Sequence, residues 1–328
     1  MKIHWLIPGT FSHIETLSES QLASNRMRAG LVEKYSPEIQ IEFSAGDRIN
    51  TKVDVIVVGK IGRDCQNGRD NLWLSHVSEG KKNSTKIVID YSDNHLELPE
   101  SPMHDFYKKV LPYANQAIVP SEHMSIQLKQ LFNKRITIIE DPVEIAPITP
   151  RLSIIQEDIT FLWFGHASNI SYLIRYLQNK SLCDINININ ILSNIPGLEL
   201  ISSQKQNLRS NLNLSEWTLE NMIHFANKSD ACLIPSDLND VRKSGVSSNR
   251  LITAFALGLP VSADILQSYA PYSEYFQDIR IAPLSAFIKK INLYMIKSQS
   301  AQLNIVPRFS RDAIVQKWKF FFNNTIYI

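Results

Sequence analysis

The chain has 328 residues, too many for one typical hydrophobic core and enough for two domains of ordinary size. Apolar residues make up 44% and charged residues 20%, which excludes a disordered chain. The net charge of +2 argues against a protein that coats nucleic acid with a basic stripe, but it permits a local basic pocket.

Three widely separated cysteines, Cys65, Cys183 and Cys232, form no CxxC motif and no Cys/His cluster. We therefore expect buried free thiols in a reducing cytoplasm, and neither a zinc site nor a disulfide framework. The first apolar run is broken by Pro8 and Gly9 and is too short for a signal peptide or a membrane span. These features predict a cytoplasmic protein.

Short apolar runs alternate with longer amphipathic runs, as in βαβ units around a parallel sheet. Because the apolar residues of the short runs are consecutive, the strands are expected to be buried on both faces. In the first half, strands are predicted over 2–7, 53–58, 86–90, 116–119 and 136–139. Helices are predicted over 22–34, 105–111 and 122–131, and Ser121 is expected to cap the last of them.

The stretch 141–150 contains three prolines and no helical period, which indicates an extended linker and a domain boundary near residue 150. Further strands are predicted over 160–164, 185–192, 211–214, 231–234 and 260–263. Further helices are predicted over 170–178, 218–226, 248–257, 284–298 and 310–322. Asparagine and isoleucine alternate over 186–190, which favours an edge strand with one solvated face.

The predicted fold class is therefore α/β, with two Rossmann-like, doubly wound domains that face a cleft. The expected domains are 1–147 and 156–307, followed by a last helix over 308–328. Ligands of such sheets bind beyond the carboxyl ends of the strands.

The most informative segment is 234–260, where a strand, a polar loop and a helix follow one another. The helix is predicted to begin near Ser247 or Ser248 and to end at Gly258. A helix N-terminus already carries unpaired N–H groups and a partial positive charge, so the added cations there call for a phosphate or pyrophosphate. The predicted donor-phosphate residues are Lys243, Ser247, Ser248, Asn249 and Arg250.

Arg242 also lies in this loop, and a simpler interpretation of the loop exists. In it the cations pair with Asp237 and Asp240, the loop is solvated, and Ser248 is an ordinary helix cap. Both interpretations stay open from the sequence.

A second strand–loop–helix junction lies at 161–170, with Ser168 or Asn169 as the predicted cap. Gly165 would let a ligand approach the backbone closely. We predict that Gly165, His166 and Ser168 form a second loop at the same ligand site, although a histidine in a loop is more often an ordinary polar residue.

In the first domain, Asp90, Asp93 and His95 follow a predicted strand. A carboxylate or an imidazole there could act as a general base, and the turn-forming preference of Asp, Ser and Asn explains the segment equally well. Asp93 and His95 lie furthest into the loop and are the predicted catalytic residues. A metal site on Asp90 and Asp93 is a weaker alternative.

The acceptor side is predicted to include His13, in the loop after the first strand, and Arg26, on the first helix. Arg28 follows on the same helix. Either arginine could reach acidic groups of an acceptor, and a solvated helix face is the alternative for at least one of them.

Three segments together resemble a GT-B glycosyltransferase, and within that group the large retaining family 4, over nearly the whole chain. They are IIEDPVE at 138–144, WFGH at 163–166, and above all LITAFALGLPV at 251–261, which is similar to the family pattern Glu-Ala-Met-Ala-x-Gly-x-Pro-Val. The last helix, with Trp318, resembles the helix that crosses back to the first domain in that fold.

The resemblance implies a glycosyltransferase that moves a sugar from a nucleotide-sugar donor to a hydroxyl of a glycan or lipid-linked acceptor. It implies bacterial surface polysaccharide or glycoconjugate synthesis at the inner face of the cell membrane. Neither a cofactor, an obligatory metal nor a nucleic-acid partner is expected. The tail 317–322 could touch a membrane through its cations and aromatic rings, and packing against the first domain explains the same residues.

The chain departs from the family where two glutamates normally stand eight positions apart, since Gly245 and Thr253 occupy those positions. Neither a carboxylate contact to ribose nor retention of configuration is therefore implied. The loop from Lys243 to Arg250 instead resembles a divergent branch with a Lys-Ser…Ser-Asn-Arg phosphate loop. A non-catalytic nucleotide-sugar-binding subunit and a nucleotide-sugar epimerase on the same fold remain as alternatives.

Overall fold

A computed structural model of the chain describes residues 1–9, 17–20, 22–151, 153, 159–208 and 210–325. The chain divides into two compact units. Unit 1 comprises Met1–Pro142, Asp240–Ser247 and Arg311–Ile328. Unit 2 comprises Val143–Asn239 and Ser248–Ser310. The candidate acceptor residue His13 lies outside the described residues.

Each unit is built on a parallel six-stranded sheet. The strand order is β2-β1-β3-β4-β5-β6 in unit 1 and β12-β11-β10-β7-β8-β9 in unit 2. The strands are β1 Lys2–Leu6, β2 Glu42–Gly46, β3 Val55–Val58, β4 Lys86–Asp90, β5 Gln116–Val119, β6 Arg135–Ile138, β7 Thr160–Phe164, β8 Asn188–Ser193, β9 Asn211–Glu216, β10 Ala231–Ile234, β11 Val261–Ala263 and β12 Gln277–Asp278. Every predicted strand is present, whereas the edge strands β2 and β12 were not predicted.

Helices cover the sheets. They are α1 Gly30–Lys34, α2 Ser36–Ile39, α3 Arg69–Lys82, α4 His104–Val110, α5 Glu122–Lys129, α6 Ile170–Gln178, α7 Ile195–Gln204, α8 Leu219–Asn227, α9 Asn249–Ala256, α10 Leu284–Lys289, α11 Ile291–Asn304 and α12 Arg311–Thr325. Three of these helices, α2, α3 and α7, were not predicted. The helix predicted over 22–34 is a π-helical turn over Asn25–Ala29 followed by α1. The single helix predicted over 284–298 is two helices, because Lys290 has a non-helical ψ of 13°. The predicted cap of α5 is confirmed, since the Ser121 hydroxyl accepts from the Met124 amide.

The core of unit 1 lies on both faces of its sheet, and α12 closes one of them. The Trp318 ring lies 5.4 Å from the Trp5 ring, edge to face, and Phe321 and Phe322 are buried beside it. Lys317 donates to Glu140 at 2.5 Å. Packing within unit 1 therefore accounts for these tail residues, as the resemblance implied, and their contact with a membrane is not needed to explain them.

Arg28 is the centre of a buried ion cluster in unit 1. A π-helical turn over Asn25–Ala29 carries it, and its side chain is 2% exposed. Its Nε donates to both carboxylate oxygens of Asp90 at 2.7 Å, and its Nη1 donates to Asp141 at 2.9 Å. Burial by itself would lower the pKa of Arg28, but the two carboxylates raise it. The expectation that Arg28 faces solvent or an acceptor is wrong, because the cluster occupies its guanidinium.

The asparagines of β8 do not lie on an edge strand. β8 pairs with both β7 and β9, so the prediction of an edge strand is wrong. The amides of Asn211 and Asn213 on β9 donate to Asn188 and Asn190 on β8, each at 2.9 Å. Buried Asn190 also donates to Ser229. A ladder of amide hydrogen bonds thus lets polar side chains sit inside the sheet.

The predicted buried free thiols are confirmed, since Cys65, Cys183 and Cys232 are all free and buried. Burial raises the pKa of the Cys232 thiol to about 12, and burial likewise raises the pKa of Cys183 to about 11. Both thiols are therefore protonated and unreactive at neutral pH.

Gly258 ends α9 in a left-handed conformation with φ of +73°, and a Cβ there would lie 2.7 Å from the Ile148 carbonyl oxygen. Gly258→Ala should cost about 1–2 kcal/mol for the backbone conformation and roughly 1–3 kcal/mol more for the clash. Gly68→Ala is the matched control, because Gly68 has φ of +93° with nothing within 4 Å of a Cβ. Urea unfolding should show the larger loss for Gly258→Ala, and equal losses would contradict the clash.

Candidate functional site

The strands β11, β10 and β7 are neighbours in the unit 2 sheet, so their carboxyl ends lie side by side. These strands end at Ala263, Ile234 and Phe164. The loops that follow carry Asp264, Ser236 and Gly165 respectively. α9 supplies a helix N-terminus after the polar loop that follows β10, as the sequence predicted.

Arg250 lies in the first turn of α9. Its Cζ is 5.2 Å from the centroid of the Trp163 ring and 5.9 Å from that of Phe164. A Cβ on Gly165 would lie 3.4 Å from that Cζ and 3.2 Å from the Trp163 ring. The glycine therefore leaves room for the guanidinium to stack on the tryptophan at the end of β7.

Arg250 is a half-buried cation with no ion-paired carboxylate among the described residues. Its Nε and Nη2 are buried and have no hydrogen-bond partner in the described part of the chain, and no described carboxylate forms an ion pair with it. Burial lowers the pKa of Arg250, and the neighbouring Tyr269 and Cys232 oppose this only in part. Because a guanidinium stays protonated in proteins, the site is electrostatically suited to an anion.

The N-cap position of α9 lacks a side-chain capping bond. Ser248 occupies this position, and it is buried. The Asn249 side-chain oxygen accepts from Thr253 at 3.3 Å. Ser248 is therefore the N-cap residue by position, but its side chain does not make the capping bond that the simpler interpretation requires. The first turn of α9 contains no acidic residue.

The predicted phosphate residues divide between the two units. Ser248, Asn249 and Arg250 belong to unit 2, whereas Lys243 and Ser247 belong to unit 1. In unit 1, Ser121 donates to the Gly245 carbonyl and Gln127 donates to Ser244, each at 2.7 Å. The loop 240–247 is therefore held on the start of α5.

The simpler interpretation of the loop holds for Arg242 but not for Arg250. Arg242 donates to Asp240 through Nε at 3.0 Å and Nη2 at 2.6 Å. Asp237 pairs with Arg175 of α6 instead, at 2.8 Å. Three charges of the loop, those of Asp237, Asp240 and Arg242, are thus accounted for by ordinary ion pairs.

The loop after β7 is held by its own polar groups. His166 accepts from the Ser168 amide through Nδ1 at 3.2 Å and caps the short 3-10 turn over Ala167–Asn169. Asn169, one of the two predicted caps, occupies the N-cap position of α6 but makes no side-chain capping bond. The side-chain capping bond in this loop is made by His166, to the turn that precedes α6. Ser193 donates to the Gly165 carbonyl at 2.8 Å and fixes the glycine.

Asp264 is a buried carboxylate beyond the carboxyl end of β11 that the sequence did not single out. It accepts from the Ser236 amide at 2.7 Å and lies 3.3 Å from Arg280, which also binds Asp278. Burial raises the pKa of Asp264 to about 6, which Ser236 and Arg280 partly oppose. Asp264, in the loop after β11, therefore links that loop to Ser236 in the loop after β10 and to Arg280 in the loop after β12.

In unit 1, Asp93 and His95 lie beyond the carboxyl end of β4, beside Lys60 from the loop after β3. Burial tends to raise the pKa of Asp93, but its ion pair with Lys60 and the charges of His95 and Lys243 hold that pKa well below its usual range. Asp90 pairs with Arg28, and Asp93 pairs with Lys60. The two carboxylates that could have formed a metal site therefore each have a cationic side chain as partner.

His95 is buried and held from several sides. Its ring stacks on Tyr107 with centroids 5.8 Å apart, and its Nδ1 lies 3.1 Å from the Ser101 hydroxyl. The Tyr91 hydroxyl accepts from the His95 amide at 2.7 Å. Its Nε2 is buried 3.9 Å from Asp93 and has no hydrogen-bond partner among the described residues.

Burial lowers the pKa of His95 to about 4, and the positive charges of Lys60, Arg242 and Arg63 lower it further while Asp93 opposes them. His95 is therefore a neutral imidazole at pH 7. Arg26, predicted on the acceptor side, is instead buried at 8% exposure and donates to the Ser20 carbonyl at 2.6 Å.

Glycosyltransferases are among the solved structures that match this chain. An alpha-glucosyltransferase in complex with UDP and a 13-mer DNA matches with a TM-score of 0.64 and 11% identity, over 99% of this chain and 99% of that one. The lipopolysaccharide outer core galactosyltransferase WaaB matches with a TM-score of 0.58 and 11% identity, over 100% and 99%. The chain has the GT-B fold.

TarM matches with a TM-score of 0.55 and 14% identity over 90% of this chain, which spans 58% of the TarM chain. No protein-family model matches the sequence, and no curated protein matches it either. The likeness in structure therefore carries the fold, and the site residues must be argued from this chain's own geometry.

The raised pKa of Asp264 predicts a pH-dependent cost to folding. The folded pKa of about 6 lies above the ordinary value of 3.8, so the ionised carboxylate destabilises the folded state increasingly as pH rises from about 4 to 6. Asp264→Asn should therefore gain stability relative to wild type by roughly 1 kcal/mol between pH 5 and pH 8 in urea unfolding.

Asp184→Asn is the control for this measurement. Burial alone would raise the pKa of Asp184, but the hydrogen bonds from Ser285 together hold it below its usual value. That carboxyl is therefore ionised throughout the range and should show no such trend. A difference between Asp264→Asn and wild type that does not change with pH would contradict the raised pKa.

Proposed function

We propose that the chain is a glycosyltransferase that moves a sugar from a nucleotide-sugar donor to a hydroxyl acceptor. The observation that carries the proposal is Arg250, a guanidinium with two buried nitrogens that lack a partner among the described residues, at the N-terminal turn of α9. A phosphate of the donor would supply the missing negative charge and accept those hydrogen bonds. Because similar folds were solved with UDP, a UDP-sugar is the first donor to test.

Arg250 would also serve the chemistry. Negative charge builds on the leaving phosphate as the bond to the sugar breaks, and a preorganised cation stabilises that charge without having to reorganise. The helix dipole of α9 acts in the same direction. Since two of its nitrogens are buried and the guanidinium stacks on Trp163, its position is fixed by contacts within the chain.

His95 is the better of the two candidate bases. Asp93 is a weak base, because its ion pair with Lys60 holds its pKa low. His95 is neutral at pH 7 and, with its proton on Nδ1 toward Ser101, has a free lone pair on Nε2. An anionic substrate that offset Lys60, Arg63 and Arg242 would raise its pKa toward the range that suits a general base.

The acceptor class that we propose is a glycan or a lipid-linked sugar, in bacterial surface polysaccharide or glycoconjugate synthesis. The lipopolysaccharide galactosyltransferase among the similar folds supports it. The absence of glutamates at Gly245 and Thr253 favours one competing function, a nucleotide-sugar-binding subunit without catalysis. Turnover of a labelled donor distinguishes the two.

The donor site is tested by binding of UDP and UDP-sugars with wild type, Arg250→Ala and Arg175→Ala. Loss of a charge-assisted phosphate contact should weaken binding by about tenfold or more. Arg175→Ala is the matched control, since Arg175 belongs to the same unit, is exposed and already pairs with Asp237.

Isothermal titration calorimetry gives the dissociation constants, with GDP-, ADP- and CMP-sugars as alternative ligands. Equal affinity of Arg250→Ala and wild type for every nucleotide that binds would contradict the phosphate site. Binding lost by both arginine variants would indicate a general charge effect and contradict the specific role of Arg250.

The base is tested by the turnover of His95→Gln. Removing a general base should lower kcat by about 10²–10⁴-fold while donor affinity changes little. Wild-type kcat/KM should fall as pH approaches the pKa of about 4. His123→Gln is a control on α5 in the same unit. Unchanged kcat in His95→Gln with a large loss in Asp93→Asn would assign the base to Asp93 instead.

A further inference from the structure

The outward face of α11 is apolar, although a surface helix normally presents polar residues to solvent. Its inner face buries Ile291, Met295, Ser298 and Ala301. On the outer face, Leu293 is 49% exposed, Ile296 63% and Leu303 76%. At 100° per residue these three side chains fall within an arc of about 80° that also contains Ser300, so they form a stripe on one side of the helix.

The stripe lies in a segment that carries only positive charge. Residues 279–311 contain no aspartate and no glutamate, but they contain six basic residues in a chain whose net charge is only +2. These are Arg280, Lys289, Lys290, Lys297, Arg308 and Arg311. Lys289 and Lys290 are exposed at the start of α11, and Lys297 extends over the Tyr294 ring, 5.3 Å from its centroid.

We propose that this α11 face, made of Leu293, Ile296 and Leu303 with Lys289, Lys290 and Lys297, docks on an anionic lipid surface. Apolar side chains on the outer face of a helix gain free energy by entering the boundary between headgroups and acyl chains. Lysine stems can lie along that boundary while their ammonium groups bind phosphate headgroups. No helix in the described part of the chain is long and apolar enough to cross a membrane, so the contact is peripheral.

The charge pattern favours lipid over a second copy of the chain. Two copies meeting through this face would bring the like-charged Lys290 and Lys297 of each copy together, whereas an anionic bilayer supplies the opposite charge. Asp184 lies close enough to Lys289 to offset part of the charge of that lysine alone. The tail 317–322 is a weaker candidate, since only Phe320 of its aromatic residues is exposed.

The test is sedimentation of the full chain with vesicles of phosphatidylcholine, with and without phosphatidylglycerol. Wild type should bind the anionic vesicles more tightly, and added salt should weaken that binding. Leu293→Gln/Ile296→Gln/Leu303→Gln should abolish binding. Lys289→Gln/Lys290→Gln/Lys297→Gln should weaken it by about tenfold or more. Because all six side chains lie on the surface, thermal unfolding should show both variants folded.

Leu22→Gln/Ile126→Gln/Leu131→Gln is the matched control, since it removes three equally exposed apolar side chains from unit 1. Equal binding to neutral and anionic vesicles, no binding, or equal loss in the control would overturn the proposal. Loss of a wild-type dimer in the apolar variant, with no vesicle binding by wild type, would assign the face to a second copy. The assay contains no nucleotide, so its outcome is independent of the proposed transferase activity.

Discussion

The ion cluster of Arg28 with Asp90 and Asp141 is the constraint on which unit 1 depends. It joins the π-helical turn, the end of β4, the start of the linker after β6 and, through the 5.4 Å contact of Arg28 with the Trp318 ring, the last helix. A buried cation with two carboxylates tolerates no loss of a partner, because the group left behind would be an uncompensated charge. The loop that carries Asp93 and His95 begins at the residue after Asp90 and inherits that fixed position.

Arg250 is the opposite case in unit 2. Arg28 has two carboxylates, a carbonyl and a tryptophan, whereas Arg250 has its aromatic stack and no anion among the described residues. Both guanidiniums have buried nitrogens, but among the described residues only Arg28 has carboxylate partners. This difference in anionic partners distinguishes Arg28, a structural arginine, from Arg250, for which we propose a ligand.

Local signals were enough to predict the sheets and the start of α9. Consecutive β-branched residues predicted the buried strands. Cations beside serines predicted that Arg250 belongs to a phosphate site. Contacts between residues distant in sequence were not visible. Arg28 pairs with residues 62 and 113 positions away. Ser121 donates to the carbonyl of Gly245, 124 positions away, and this contact is one reason why the loop with Lys243 belongs to unit 1. α3 buries only Trp73, Val77 and Gly80 among polar neighbours, too sparse a pattern to predict from the sequence.

The interleaving of the two units along the chain has a consequence for how the protein folds. Unit 1 is completed by Asp240–Ser247 and by α12, so Trp5 must wait for Trp318, which is synthesised some three hundred residues later. Until then one face of the first sheet exposes its aromatic and β-branched residues, and contacts of such sequence separation close slowly. Nascent unit 1 is therefore a natural client for chaperones, while unit 2 can begin to collapse before its neighbour is finished.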